Sequence, residues 1–208
     1  MSSASQLRAK AREMLGGNIF NPKWLYPLAV CLIVNAITGI ASMIAIGSLL
    51  VTGPLSVGSA LYFLSIARQQ ERATENIGAL FTPVTKDAGG TIVLGLLTTV
   101  FVALWSLLFV IPGIVKSFSY AMAPYIKVDH PEYTATQAIT ESRRIMNGNK
   151  MRLFALYLSF IGWILVAMLT CGIGMLWVYP YMSASVAAFY EEIKAPEAEQ
   201  PEVETVNL

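Results

Sequence analysis

His130 is the only histidine of the chain, and it stands between two carboxylates in the segment Asp129-His130-Pro131-Glu132. An imidazole flanked by carboxylates can act as a general base or a metal ligand near neutral pH. Pro131 makes this segment a turn, however, and neither of the two cysteines has a second Cys or His at metal-ligand spacing. The chain also lacks a phosphate-binding glycine motif, a nucleophile elbow and a zinc-peptidase motif. We therefore predict no catalytic residue, no metal site and no cofactor, and a protein that is not an enzyme.

Tyrosines and cations in the second half of the sequence offer binding chemistry instead. Tyrosine hydroxyls beside Pro124 and Pro180 are candidates to line a cavity for a lipid or an amphipathic ligand, although aromatic residues also form belts at membrane interfaces. The candidate cavity residues are Tyr120, Tyr125, Tyr179 and Tyr181. The basic segment 134–152 is a candidate to contact lipid head groups or a partner, although it can equally be a solvated face. The candidate contact residues are Arg143, Arg144, Lys150 and Arg152.

The composition of the chain places these residues in a membrane setting. Its 208 residues are 55% hydrophobic and 13% charged, with a mean hydropathy of +0.59. Charge is absent from residues 24–67, 88–115 and 153–190. A helix of about 20 apolar residues crosses about 30 Å of hydrocarbon, so the longest of these runs can cross twice. The composition excludes an ordinary soluble enzyme, and a net charge of +1 gives no field that would attract nucleic acid.

Glycine and proline interrupt the runs 24–67 and 153–190, and also the stretch 88–126, whose only charge is Lys116. The interruptions are Thr-Gly-Pro at 52–54, Ile-Pro-Gly at 111–113 and Cys-Gly-Ile-Gly at 171–174. We predict an all-α polytopic membrane helix bundle with six transmembrane helices in three hairpins. The predicted spans are about 24–51, 54–68, 90–111, 113–128, 152–171 and 174–191, with a cytoplasmic helix at about 134–147. Because the breaks recur about every 60 residues, we also predict three units of one plan, each a surface helix followed by a hairpin.

The distribution of Lys and Arg predicts the orientation. All of them except Lys116 lie in the N-terminal segment, in the loops 68–90 and 127–152, or in the C-terminal tail. The positive-inside rule then places both termini of a multi-pass protein in the cytoplasm, at the cell (cytoplasmic) membrane.

Three segments follow from this orientation. Residues 1–23 form a cytoplasmic amphipathic segment, helical over 5–17, that lies on the membrane surface. Residues 24–190 form the six-helix membrane domain. Residues 192–208 form a disordered acidic tail.

Three stretches of the sequence resemble a bacterial family of integral membrane proteins known as domain of unknown function number nine hundred and seventy-five. They are Ile-Pro-Gly-Ile-Val-Lys-Ser-Phe-Ser-Tyr-Ala-Met-Ala-Pro-Tyr at 111–125, Ala-Ile-Thr-Glu-Ser-Arg-Arg-Ile-Met-Asn-Gly-Asn-Lys at 138–150, and Pro180-Tyr181 with Phe189-Tyr190. The resemblance is most specific between residues 111 and 190 and weak in the first hairpin. It implies a six-helix bacterial membrane protein, distantly similar to the membrane domain attached to some glycerophosphodiester phosphodiesterases. The catalytic domain of those enzymes is absent from this sequence, so no enzymatic residue is implied.

Two functions remain open at this stage. The first is non-enzymatic handling of a lipid or small amphipathic molecule in the cytoplasmic membrane. The alternative is a membrane-embedded interaction or accessory module that docks a protein partner through its cytoplasmic segments. The partners that these functions imply are membrane lipids and either a protein partner or a second copy of the chain, with no nucleic acid.

Overall fold

The computed structural model describes residues 3–15, 24–42, 45–70, 77–108, 110–170, 172 and 174–198. Within these residues the chain forms helices and no strands, which confirms the predicted all-α class. A 3-10 helix, Ile77–Phe81, precedes α4. The α-helices are α1 (Ala4–Met14), α2 (Leu25–Ser42), α3 (Ala45–Ala67), α4 (Thr82–Lys86), α5 (Ala88–Leu108), α6 (Val110–Tyr120), α7 (Ala123–Asp129), α8 (Ala135–Ile145), α9 (Lys150–Leu158), α10 (Ile161–Leu169) and α11 (Met175–Ala198).

Three stretches of helix are long and apolar enough to cross a membrane: Leu50–Ala67, Ala88–Leu107 and Lys150–Leu169. Most of the second and third stretches faces outward, and their exposed side chains are large and apolar. These side chains include Leu96, Val100, Leu104 and Leu107 on α5, and Leu165, Val166, Met168 and Leu169 on α10. An exposed apolar surface of this extent fits a membrane protein. Only three candidate spans are found in the described residues, so the count of six remains a prediction.

The turn predicted at Thr52-Gly53-Pro54 is not observed, because these residues lie inside α3. Gly53 instead lets α3 and α5 approach closely where they cross, because a Cβ atom on Gly53 would lie 2.1 Å from the carbonyl oxygen of Thr91 in α5. Pro54 can remain in a buried membrane helix because neighbouring helices shield the backbone group that it leaves unpaired. The first break therefore falls between α2, which ends at Ser42, and α3.

Proline and glycine are closer to chain reversals in the other two hairpins. Gly172, between α10 and α11, has a φ of +85°, a left-handed conformation that favours glycine. In the middle hairpin α5 ends at Leu108, and Pro112 lies in the first turn of α6, where a missing N–H costs little. The segments 113–128 and 152–171, each predicted as one helix, are both interrupted, at 121–122 and at 159–160.

The C-terminal tail is ordered further than the sequence predicts. Helix α11 continues to Ala198, seven residues into the segment 192–208 that was expected to be disordered. Its first charges have partners that hold them in place: Glu192 pairs with Arg152 at 2.6 Å, and Lys194 binds Asp129. Residues 199–208 lie outside the described residues.

Helix α1 is set against the protein rather than only against a membrane surface. Ser3 and Gln6 form a capping box at its start. Its apolar residues Leu7, Ala11 and Leu15 are buried, and the helix packs mainly against α11 and α9. The apolar face that the sequence assigned to lipid is therefore covered by other helices.

The three segments that precede hairpins share one mode of packing. The pair formed by the 3-10 helix and α4 packs mainly on α3, and α8 packs on α5, α6 and α7. Helix α1 packs on the third hairpin. Each of these segments therefore lies against a hairpin other than the one that follows it.

Candidate functional site

The C-terminal ends of α3 and α7 meet the last third of α11 in a charged cluster formed by Arg68, Asp129, Tyr190, Glu191 and Lys194. Nη2 of Arg68 donates to both carboxylate oxygens of Asp129, at 2.7 and 2.8 Å, and to Glu191 at 2.8 Å. The Tyr190 hydroxyl donates to Asp129 at 2.9 Å, and the Lys194 ammonium donates to the same carboxylate oxygen. One carboxylate, at the last residue of α7, thus joins the residue that follows α3 to residues of α11.

The cluster keeps Asp129 ionised although only 6% of its side chain is exposed. Burial alone would raise its pKa, but the hydrogen bonds from Lys194, Arg68 and Tyr190 outweigh burial and hold the pKa below its usual value. Asp87, at the start of α5, has a lowered pKa for a related reason, because Lys127 and a backbone N–H donate to it.

A polar cleft of about 290 Å³ opens beside the charged cluster, between α7, α8 and the end of α11. It is lined by Ile126, His130, Tyr133, Glu141, Arg144, Ile145, Tyr190 and Lys194. Tyr190 and Lys194 belong to both features. The cleft therefore combines isoleucine and tyrosine surface with cationic groups, a lining that suits a molecule with a polar and an apolar part.

Charges in the cleft are balanced by local partners. Arg144 pairs with Glu141 at 2.6 Å, one helical turn earlier in α8. His130 stacks on Tyr133, with 4.5 Å between ring centroids, and its Nδ1 lies 3.0 Å from a carboxylate oxygen of Glu132. Of the three partner carboxylates only Glu141 also lines the cleft, so the groups that face it are mainly hydrogen-bond donors, and these favour an anionic polar group.

In the part of the chain that the structure describes, no group of three or more His, Cys, Asp or Glu residues is placed to hold a metal ion.

The four predicted cavity tyrosines do not share one cavity. Tyr125 stacks on Tyr190 at 5.3 Å, Tyr120 lies 6.2 Å from the Phe101 ring, and Tyr179 is exposed. None of these three lines the polar cleft. Tyr181 is buried elsewhere, and its hydroxyl donates to the Arg8 carbonyl at 2.9 Å.

The four predicted contact cations also separate. Arg144 lines the polar cleft, whereas Arg143, its neighbour in α8, is exposed and does not line the cleft. Arg152 pairs with Glu192 and lies over the Phe189 ring at 5.4 Å. Lys150 begins α9, away from the cleft. The arrangement therefore assigns to these four cations at least two different roles.

Tyr181 belongs to a second, smaller cavity, which we call the tryptophan cavity. It has a volume of about 50 Å³ and lies between α1, the start of α2, α10 and α11. It is lined by Arg12, Trp24, Trp163, Trp177, Val178 and Tyr181. Three of the four tryptophans of the chain meet there.

Sequence reasoning missed the charged cluster, although a signal for it was present. Arg68 and Asp129 stand 61 residues apart, and Arg68 and Glu191 stand 123 apart. These separations are about one and two periods of the predicted repeat, and each residue lies at or next to the end of the second predicted span of its hairpin. Equivalent positions in three units could therefore have been examined for complementary charges.

A comparison with protein-family models finds a match in the second half of the chain. No curated protein and no solved structure matches the chain, so the likeness to the membrane domain of glycerophosphodiester phosphodiesterases remains a prediction. Residues 107–197 match a family model, and this range contains every residue that lines the polar cleft. The matched family is described as Protein of unknown function (DUF975), and the chain is similar to it over residues 107–197.

Proposed function

We propose that this is a multi-pass protein of the bacterial cytoplasmic membrane, with both termini in the cytoplasm, that binds an amphipathic molecule in the polar cleft without transforming it chemically. The occupant is a lipid or a small amphipathic molecule whose polar group is anionic. The observation that carries this proposal is the lining of the cleft, in which Arg144, Lys194 and His130 lie beside Ile126 and Ile145.

The position of the cleft supports a lipid-like occupant. Helix α7, which contributes Ile126, follows α6 within the middle hairpin, and α6 carries exposed apolar residues such as Ile111 and Ile114. A molecule held in the cleft is therefore close in the chain to surface that suits acyl chains. The volume of about 290 Å³ is at the lower end of the range for small-molecule sites, enough for a head group rather than a whole lipid.

Binding, rather than catalysis, is what the side chains of the cleft support. Two of its cations already have carboxylate partners: Arg144 pairs with Glu141, which also lines the cleft, and Lys194 pairs with Asp129, which does not. Groups paired in this way can exchange a partner for an anionic ligand, but none is placed as a nucleophile next to a base.

The first experiment is extraction of the native protein into lipid nanodiscs, followed by mass spectrometry of what stays bound in stoichiometric amount. We expect one enriched lipid or small amphipathic molecule. A stoichiometric protein partner with no enriched small molecule would overturn the proposal and support the docking alternative.

Two neighbouring arginines supply a matched pair of variants. Arg144→Gln removes a cation that lines the cleft, and we expect about tenfold less of the bound molecule. Arg143→Gln removes the same charge from the exposed face of α8 and should leave the bound amount unchanged. Equal losses in the two variants would show that the cleft is not the site.

A further inference from the structure

We infer that the tryptophan cavity is a separate lipid site, which binds the phosphate and ester region of a phospholipid. The inference does not depend on the polar cleft, because the two sites share no lining residue.

The first observation is an unmatched donor. Trp24 is 4% exposed, and its indole N–H is buried without an acceptor among the described residues. Buried donors in proteins almost always have an acceptor, so this one calls for an acceptor from outside the chain. An ester carbonyl or a phosphate oxygen would supply it.

The second observation is a cation without an acidic partner. Arg12 is exposed, and its guanidinium lies 6.0 Å from the centre of the Tyr181 ring. Within the part of the chain that the structure describes, no carboxylate pairs with it, whereas Arg68, Arg144 and Arg152 each have one. The cavity therefore presents two unmatched donors, of which one is charged, and a phosphodiester matches that pattern.

The third observation is where the cavity opens. Trp163 is 40% exposed on α10, and the neighbouring Ile161, Leu165 and Val166 are exposed as well. The cavity thus lies where the charged helix α1 meets apolar outer surface, the position that tryptophan prefers at a membrane interface.

The small volume fits only part of a lipid. About 50 Å³ has room for a few non-hydrogen atoms, such as an ester group, and not for a whole head group. The phosphate would then lie outside the cavity against Arg12, and the acyl chains would follow α10. An occupant without an apolar part, such as free phosphate, would leave that surface uncovered.

The test uses the tryptophans as their own reporters. Trp105 lies away from the cavity, with the Lys116 ammonium 4.6 Å from its ring centre, so Trp105→Phe leaves only the three tryptophans of the cavity. The full chain in maltoside detergent is titrated with a phosphatidylglycerol that carries bromine on its acyl chains, and fluorescence quenching is measured. We expect saturable quenching, and about tenfold weaker quenching by a diacylglycerol with the same brominated chains but no phosphate.

Variants of Arg12 and Trp24 test the contribution of each donor to lipid binding. Arg12→Gln should raise the half-saturating phosphatidylglycerol concentration about tenfold, whereas Lys10→Gln, which removes a charge from the same helix, should leave it unchanged. Arg12→Lys keeps the charge and should bind more tightly than Arg12→Gln. Trp24→Phe should weaken binding several-fold, because it removes the indole donor that has no partner within the protein.

Several results would overturn the inference. Equal quenching by the two lipids would show that the cavity senses only the apolar environment. Equal effects of Arg12→Gln and Lys10→Gln would reduce the interaction to general charge attraction. Displacement of the lipid by millimolar inorganic phosphate would assign the site to a free anion.

Discussion

Replacing Asp129 by asparagine should destabilise the protein more than any other single loss of a carboxylate in the described residues. Asp129 is 6% exposed and accepts hydrogen bonds from Arg68, Lys194 and Tyr190. A hydrogen bond to a charged group contributes about 1.5–3 kcal/mol. The full sum of three such bonds is not lost, because asparagine still accepts one, Arg68 retains Glu191, and the side chains of Arg68 and Lys194 are 30% and 39% exposed to solvent. We expect the free energy of unfolding to fall by about 2–4 kcal/mol.

This change can be measured as the midpoint of thermal unfolding in detergent, followed by circular dichroism. For a chain of this length, about 2–4 kcal/mol corresponds to a decrease of roughly 5–15 °C. Glu132→Gln is the matched control, because this carboxylate lies three residues later and is largely exposed; its midpoint should not change. In a double-mutant cycle, Asp129→Asn and Arg68→Gln should show a coupling energy of about 1–3 kcal/mol. A coupling energy of zero, or equal midpoints for Asp129→Asn and Glu132→Gln, would refute the view that this carboxylate holds three helices together.

Three further predictions follow from the same contacts. The pKa of Asp129 is held below its usual 3.8. Its contribution to stability is therefore complete above that value and is lost as the pH falls through the lowered pKa. When unfolding midpoints are measured against pH, they should fall more steeply below about pH 4 in the unmodified protein than in Asp129→Asn. Gly53→Ala should destabilise by about 1–3 kcal/mol, because the new Cβ would lie 2.1 Å from the Thr91 carbonyl oxygen; Gly162→Ala, with open space around it, should not destabilise, and an equal loss in both would contradict the crossing. Ser142→Ala should cost about 1–3 kcal/mol in the same assay, because its buried hydroxyl donates to one backbone group and accepts from another at the break between α6 and α7; an unchanged midpoint would mean that the break needs no such bridge.

The helical class and several local features could be predicted because their causes are local. Long charge-free runs can only satisfy their backbone groups as helices in a membrane setting. The capping boxes of α1 and α8 are encoded within four residues, Ser3 to Gln6 and Thr134 to Gln137. Such features depend on neighbours in the sequence, and the sequence shows those neighbours directly.

The first hairpin break could not be placed because its signal is ambiguous. Glycine beside proline indicates a turn, but glycine is also the residue that lets two helices approach closely. At Gly53 the second cause applies, since α5 passes directly over it, and that contact joins residues far apart in the sequence. The order in the tail was missed for a similar reason: Glu192 and Lys194 find their partners 40 and 65 residues earlier in the chain.

The candidate sites were missed in part because the predicted residues were grouped by type. Four tyrosines suggested one cavity, yet Tyr181 alone lines a cavity described above, with tryptophans that the sequence did not connect to it. Arg143 and Arg144 are adjacent in sequence, but successive positions of a helix point about 100° apart, and only Arg144 faces the cleft.

The packing of α1 and α8 is compatible with the three-unit plan, which stays a prediction. Both helices begin with a capping box, and in both a buried side chain recurs at every fourth position up to the residue that follows the helix, Leu15 after α1 and Met146 after α8. Helix α8 packs on the middle hairpin, the 3-10 helix and α4 pack on α3 of the first, and α1 packs on the third. Each unit is therefore covered by the surface segment of another unit, so that no hairpin buries its apolar face alone.

If three similar units meet at the ends of their second helices, the charges at those three ends must be compatible with one another. Strict repetition would bring three like charges together at that point, and like charges in a partly buried site repel strongly. The residues at the ends of the second predicted spans differ in sign: Arg68 in the first unit, Asp129 in the second and Glu191 in the third. The surplus carboxylate is offset by Lys194, which binds Asp129 from the next turn of α11. Because the charges at equivalent positions differ, a contact that would be repulsive becomes the cluster that joins the three predicted units. The polar cleft opens beside Lys194, which completes this cluster.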